Sequence, residues 1–230
     1  MAAEKISIII PVLNEANVII AVLGRILNTQ NVEVIVVDGG SQDDTVAIAQ
    51  ALGVKVLSGP AVGRASQMNA GAAVATGEIL LFLHADTHLP TNFDTLVCQA
   101  LCSAQSIAGA FELRIDAKMW GLRLVEKVVN WRSRFLSMPY GDQAIFLKSA
   151  VFHEIGGFPN LPIMEDFELM RCLRSKGHIA IVPASVLTSG RRWEKLGVVK
   201  TTLINQLIIV GYFLGVAPTQ LIRWYRGRRF

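Results

Sequence analysis

Several short stretches of this sequence carry side chains whose types and spacing could do chemistry. His84-Ala85-Asp86-Thr87-His88 sets an acid between two imidazoles. In an extended chain, positions 84, 86 and 88 point the same way. A carboxylate beside an imidazole suits Mg2+ or Mn2+, above all when a substrate diphosphate completes the shell. Two histidines and an acid would also suit a hydrolytic zinc. Glu165-Asp166, after Pro162, reads as a helix start. Acids there complement the helix dipole, and one of them could take the proton of an attacking hydroxyl.

Two glycine-containing strings suit a ligand with phosphates. Asp38-Gly39-Gly40-Ser41-Gln42-Asp43-Asp44-Thr45 joins glycines that let the backbone approach a ligand to an acid that can accept from a base or a ribose. Asp43 or Asp44 can cap the next helix, and a plain capped turn also accounts for the string. It is neither a GxGxxG fingerprint nor a P-loop. Gly63 to Gly71 puts Arg64 and Asn69 at the start of a small-residue helix. A helix N-terminus with an arginine serves a phosphate well; small residues also let a helix pack closely on a sheet. Tyr140-Gly141-Asp142-Gln143 reads as a turn, and Arg191-Arg192-Trp193 as phosphate contacts or a solvated basic run.

The elements that must position these residues follow from periodicity. Residues 5–10, 32–37, 54–57 and 79–84 read as strands apolar on both faces. They alternate with helices over 15–28, 43–52 and 64–75, which predicts an α/β fold with a parallel sheet covered on both sides. In such sheets ligands bind beyond the carboxyl ends of the strands. Asn14 and Glu15, Asp38, Arg64 and Asp86 all fall at those ends. The second half predicts strands at 107–115, 143–148 and 178–189, the last broken at Pro183, and helices at 118–136 and 164–177.

Composition bounds the rest. The chain has 230 residues, 52% apolar and 17% charged, which is enough for one sizeable core. Three cysteines, Cys98, Cys102 and Cys172, make neither a disulfide framework nor a paired zinc site, and buried free thiols in a reducing cytosol are expected. The N-terminus does not read as a secretory signal. After residue 186 the basic residues Arg191, Arg192, Lys195, Lys200, Arg223, Arg226, Arg228 and Arg229 face Glu194 alone, which suits an anionic partner. No recognition motif supports nucleic acid. Residues 201–217 fall short of a membrane span; an amphipathic or core helix is expected, with a helix lying on the membrane as the next reading.

Taken in order, Pro11-Val12-Leu13-Asn14-Glu15, Asp38 to Thr45, Arg64 to Gly71, His84-Ala85-Asp86 and Glu165-Asp166 resemble the inverting family 2 glycosyltransferases. The resemblance implies a GT-A fold, a single Rossmann-like, mostly parallel sheet flanked by helices and followed by C-terminal helices. Residues 1–190 would form the domain, with 1–90 as the nucleotide-binding half and 91–190 as the acceptor half. Residues 191–230 would be its basic, apolar extension. Asn14, Glu15 and Asp38 would hold the nucleoside of a nucleotide-sugar, a UDP-sugar in the first instance. Arg64 would lie near the nucleotide, with Pro11, Gly40, Asn69, His84, Arg191 and Arg192 also along the donor. Asp86 matches the last acid of the family's DxD motif and would hold a divalent cation, Mn2+ or Mg2+, with His88 as a second candidate ligand. Asp166 matches the catalytic base of the ED motif, and Glu165 stands beside it.

The sequence departs from the family in two places. His84 replaces the first acid of DxD. The QxxRW motif of processive synthases is reduced to Arg192-Trp193. Transfer of a single sugar to a small-molecule or lipid-linked acceptor is therefore expected. A cytoplasmic enzyme, with peripheral contact at the inner membrane face and a homodimer as further expectations, completes the reading. The competing classes are a zinc hydrolase on His84, Asp86 and His88, and a non-catalytic nucleotide-sugar-binding module. His84-Ala85-Asp86, Gly141-Asp142-Gln143 and Arg192-Trp193 are similar to a small bacterial branch associated with arsenosugar biosynthesis.

Overall fold

The computed structural model describes residues 4–58 and 63–227. Its first half alternates as expected: β1 (Ile6–Val12), α1 (Ala16–Ile26), β2 (Val32–Asp38), α2 (Thr45–Ala51), β3 (Lys55–Ser58), α3 (Arg64–Ala73) and β4 (Ile79–Phe82). The second half is β5 (Thr87–His88), α4 (Phe93–Leu101), β6 (Ser106–Asp116), α5 (Leu122–Leu136), β7 (Phe146–Lys148), α6 (Ser149–Glu154), α7 (Glu165–Arg174), β8 (His178–Ser189), α8 (Arg191–Leu196), α9 (Val198–Phe213) and α10 (Pro218–Tyr225). One sheet runs in the order β3-β2-β1-β4-β7-β6-β8-β5. The pairs among β3, β2, β1 and β4 are parallel, as is β6 with β8. β7 is antiparallel to both neighbours, and β5 is antiparallel to β8.

The pleat explains why the central strands are apolar throughout. Ile8 and Ile10 face one layer with Val22, Leu23 and Ile26 of α1. Ile9 faces the other with Met68 and Ala72 of α3 and Leu80 of β4. Successive side chains go to opposite faces, so a strand covered on both sides has no polar face. α3 lies tight on the sheet: a Cβ on Gly71 would sit 2.5 Å from Ile9 Cγ2 and 3.0 Å from Val37 Cγ2. The small residues of that helix are therefore packing residues.

Several expectations need correction. The free thiols are not buried: Cys102 is exposed, and Cys98 and Cys172 are half-buried. β8 does not break at Pro183; its register against β6 jumps from Phe111↔Val182 to Glu112↔Ser185, so Pro183 sits in a bulge. A bulge is where a strand tolerates a residue without N–H. The helix expected at 118–136 starts at Leu122, because Gly121 is left-handed (φ 90°). Gln143 lies in a 3-10 turn at Gly141–Gln143, so β7 begins only at Phe146. α9 is not amphipathic: Val199, Leu203, Leu207 and Phe213 are exposed while Ile208 and Gly211 are buried. It stops before Gly215 (φ 81°), and Pro218 opens α10. Among the described residues no helix is long and apolar enough to cross a membrane. Arg228 and Arg229 of the basic end lie outside the described residues.

Candidate active site

The carboxyl ends of β1 and β4 meet α7, α9 and α10 around a cleft of about 780 Å3. The loops after β1 and β2 are locked to each other. Asn14, left-handed at φ 56°, donates its N–H to Ser41 Oγ (2.9 Å), and Gln42 N–H donates to Asn14 Oδ1 (2.8 Å). Asp38 accepts from Gly40 N–H (3.0 Å) and Ser41 N–H (3.1 Å), which turns the chain at Gly40 (φ 98°). Beneath them, buried Gln67 of α3 donates to Val12 O (2.9 Å) and Val37 O (2.8 Å), joining the two strand ends. Asn14, Asp38 and Gly40 thus frame the cleft without lining it. Pro11 and Glu15 line it directly.

Beyond β4 the chain turns rather than running on extended, with Thr87 N–H donating to His84 O (3.1 Å). The turn places His84 and Asp86 on the cleft wall and carries His88 into β5, opposite Leu187 and off the cleft lining. No three His, Cys, Asp or Glu side chains gather into a metal-binding group among the described residues. The zinc set of His84, Asp86 and His88 is therefore corrected: the turn keeps His84 and Asp86 on the cleft wall but carries His88 off it. Arg191 bridges instead, with Nη2 3.0 Å from Asp86 Oδ2 and 3.1 Å from Glu15 Oε2. Desolvation opposes the Arg191 charge, but its hydrogen bonds and charge pairing with Asp86 and Glu15 outweigh it and raise its pKa.

The opposite wall is the first turn of α7, entered through left-handed Met164 (φ 69°). Asp166 Oδ2 accepts the Gly141 N–H at 2.7 Å. A Cβ on Gly141 would fall 3.0 Å from His84 Nε2 and 3.3 Å from Asp166 Oδ2, so glycine keeps this corner open between the two groups. Burial pushes His84 well below the usual histidine pKa, and Arg64 adds to the effect, so the ring is neutral at neutral pH. Burial, with Asp166 alongside, raises Glu165, while Arg64, at 3.9 Å, opposes the shift. Asp142 also faces the cleft with Oδ1 buried and unpartnered. Desolvation pushes its carboxyl up to about 6; Arg132 opposes that and Asp166 reinforces it.

The remaining expected site residues do other work. Asn69 clamps the chain after α6, donating to Phe158 O (2.8 Å) and accepting from Phe158 N–H (2.9 Å). Arg192 stacks on Tyr225, 3.7 Å from its ring centre, and donates to Tyr225 O (3.0 Å), tying α8 to α10. Sequence reasoning passed over Asp142 as part of a turn, and over Gln67, Asn205 and Tyr225; Arg226 was read only as part of the basic end. Asn205, with Gln206 the only amides in the mainly apolar α9, was the available signal: it lines the cleft with Ile208 and Ile209. Chemically, the cleft offers five carboxylates (Glu15, Asp86, Asp142, Glu165 and Asp166) and the cations Arg64, Arg191 and Arg226, against one apolar wall. A hard divalent cation that takes most of its ligands from phosphate and water fits Asp86; a resident ion needing three protein ligands does not.

Comparison with known proteins follows the same lines. Residues 7–157 match the family model described as Glycosyl transferase family 2. A PGL/p-HBAD biosynthesis glycosyltransferase of Mycobacterium tuberculosis is 42% identical over 223 residues, covering 90% of this chain and 83% of that protein. An uncharacterized glycosyltransferase of the same species is 30% identical over 138 residues, or 58% of this chain; the match spans only 62% of that relative. Among solved structures, the mannosyltransferase PcManGT from Pyrobaculum calidifontis, in complex with GDP-Man and Mn2+, superposes with a TM-score of 0.67 at 19% identity. The match covers 81% of this chain and 57% of that one. S. aureus TarS 1-349 in complex with UDP-GlcNAc gives 0.66 at 18% identity, covering 80% and 58%. These likenesses show the GT-A fold.

Proposed function

This chain belongs to glycosyl transferase family 2, and on that premise we propose that it is a metal-dependent, inverting glycosyltransferase that moves one sugar from a nucleotide-sugar to an acceptor hydroxyl. The observation that carries the reading is the convergence of Asp86 and Asp166, eighty positions apart, on one cleft with Arg64. The nucleotide-sugars held by the structural neighbours, GDP-Man and UDP-GlcNAc, support a donor of that class, with a UDP-sugar as first choice. Residues 1–90 would receive the donor and 91–190 the acceptor, with α9 and α10 of the C-terminal extension closing the cleft from the side.

Asp86 would hold Mn2+ or Mg2+ together with the donor diphosphate. When bound, the ion would stabilise negative charge on the departing nucleoside diphosphate. Arg191, now on Asp86 and Glu15, and Arg64, at the N-terminus of α3, would place fixed positive charge beside the same phosphates. Asp166 would take the acceptor proton as the hydroxyl attacks the anomeric carbon. Gly141 N–H fixes the Asp166 carboxylate, and that positioning lets a base act at hydrogen-bond range. Neutral His84, in place of an acid, would accept or donate a single hydrogen bond without adding charge. The enzyme would work in the cytoplasm, peripherally at the membrane, where the apolar wall of α9 and α10 suits a lipid-linked acceptor.

The test has two parts. A thermal-shift panel of UDP-, GDP- and dTDP-sugars with and without Mn2+ should give a nucleotide-dependent rise that Mn2+ enlarges; no shift with any of them refutes the donor class. Asp166→Asn should lower kcat by about 10²–10⁴ while the donor-induced shift persists. Undiminished turnover refutes the base.

A further inference from the structure

Two helices, α5 and the side of α9 turned away from the cleft, present apolar stripes with the same spacing. On α5 and the residue pair before it, Trp120, Leu124, Val128, Trp131 and Phe135 step by four, four, three and four. On α9 and its end, Val199, Leu203, Leu207, Val210 and Leu214 step identically. Within each helix that is the period of one face, and Trp120 and Leu214 lie just beyond the helix ends. All ten are more than half exposed, from 52% for Leu207 to 96% for Trp120. The opposite face of α5 is fixed to the fold: Asn130 accepts from Leu113 N–H (2.8 Å) and Glu126 from Ile115 N–H (2.6 Å). The stripe therefore points away from the sheet. The two helices begin side by side, since a Cβ on Gly121 would lie 3.5 Å from Val198 Cγ1. Exposed Trp120 and Val199 flank that meeting point. Single exposed apolar residues need no explanation, but ten in two adjoining stripes do.

Charge says what covers them. Segments 117–140 and 190–227 hold eleven basic residues against Glu126 and Glu194, although the whole chain has 22 basic and 18 acidic residues. Lys118, Lys127, Lys195, Lys200 and Arg223 form no ion pair among the described residues. Long basic side chains beside tryptophan and leucine belong at a lipid interface, with stems on the apolar side and heads at anionic headgroups. A two-fold pairing of this face with a second copy would oppose like charges instead. An apolar hollow of about 680 Å3, lined by Leu196, Val198, Val199, Leu203, Ile204 and Leu207, opens along α9, which also supplies Asn205, Ile208 and Ile209 to the cleft.

We propose that the exposed faces of α5 and α9 form one membrane-docking surface that lays the protein on an anionic bilayer with α9 between the lipid and the cleft. This deepens the peripheral placement proposed above, and its test does not depend on glycosyl transfer. The full chain is spun with vesicles of phosphatidylcholine alone and of phosphatidylcholine with phosphatidylglycerol. It should sediment with the anionic vesicles, less so at high salt. Trp120→Ser/Trp131→Ser/Phe135→Ser and, separately, Leu203→Ser/Leu207→Ser should each weaken partitioning by at least about tenfold. Leu52→Ser, just past the end of α2, should leave it unchanged. Circular dichroism and the donor-induced thermal shift, retained in all variants, show that the fold and cleft are intact. Wild type that ignores anionic vesicles, or variants that bind as wild type does, overturn the proposal. So does light scattering that finds a dimer broken by the same substitutions without vesicle binding. Vesicle binding in a protein that answers to no nucleotide-sugar would leave this surface standing and refute the donor reading alone.

Discussion

Arg191 stands where a cation would compete for Asp86, so its removal has a calculable consequence. Its Nη2 lies 3.0 Å from Asp86 Oδ2 and 3.1 Å from Glu15 Oε2. Two unit charges at that separation attract by about 1.4 kcal/mol in water and roughly 5 kcal/mol at an effective dielectric near 20. The Arg191 side chain is 52% exposed and that of Asp86 26%, which places the pair towards the aqueous limit. Exposed pairs of this kind are worth about 0.2–1 kcal/mol. A divalent ion claiming Asp86 must displace that contact. Arg191→Gln should therefore bind Mn2+ about two- to fivefold more tightly in the absence of nucleotide, measured by titration calorimetry. The gain should shrink as salt rises. With a nucleotide-sugar present the order should reverse, because the same guanidinium would then face the diphosphate; donor affinity should fall about tenfold. Asp86→Asn should abolish the Mn2+ gain. Unchanged or weaker Mn2+ binding by Arg191→Gln without nucleotide would refute Asp86 as the ligand that Arg191 masks.

Asp142, raised from 3.8 to about 6, holds its proton longer in the folded chain than in the unfolded one. Stability should fall as pH rises between those values, by at most about 3 kcal/mol, and then level off. Asp142→Asn should remove that slope and raise Tm above pH 6; a melt series with the same slope as wild type would contradict the burial argument. Asn69→Ala breaks both hydrogen bonds to Phe158 and should cost about 1–3 kcal/mol in urea denaturation. Its donor-induced thermal shift should match wild type, since Asn69 does not line the cleft; a lost shift would return it to the binding residues.

Periodicity made the first half legible because it reports burial. A strand apolar on both faces must lie between two layers, so β1, β2 and β4 and the polar residues after them could be read without knowing their neighbours. The small residues of α3 and the glycines after Asp38 were equally local signals. Less was visible where a residue's role depends on its partner. His88 looked equivalent to His84 until a turn closed by Thr87 N–H sent it into β5. Asn69 and Arg192 had the right chemistry for a ligand, but Phe158 and Tyr225 take them. Asp142 looked like a turn residue because nothing in Gly-Asp-Gln announces an unpartnered carboxylate.

By itself the sequence determined the layers, the order of the helices and strands of the first half, and the acids and cations available at their ends. Only the tertiary structure decided which of them meet. Strand order inserted antiparallel β7 beside β4 and brought Gly141 between His84 and Asp166. The same folding carried Arg191 across 176 positions to Glu15. It also turned the stripes of α5 and α9 outward. Hydrophobic periodicity is a property of a residue and its near neighbours along the chain. A hydrogen bond or an ion pair belongs to two distant segments, and it exists only once a shared core has set their relative positions.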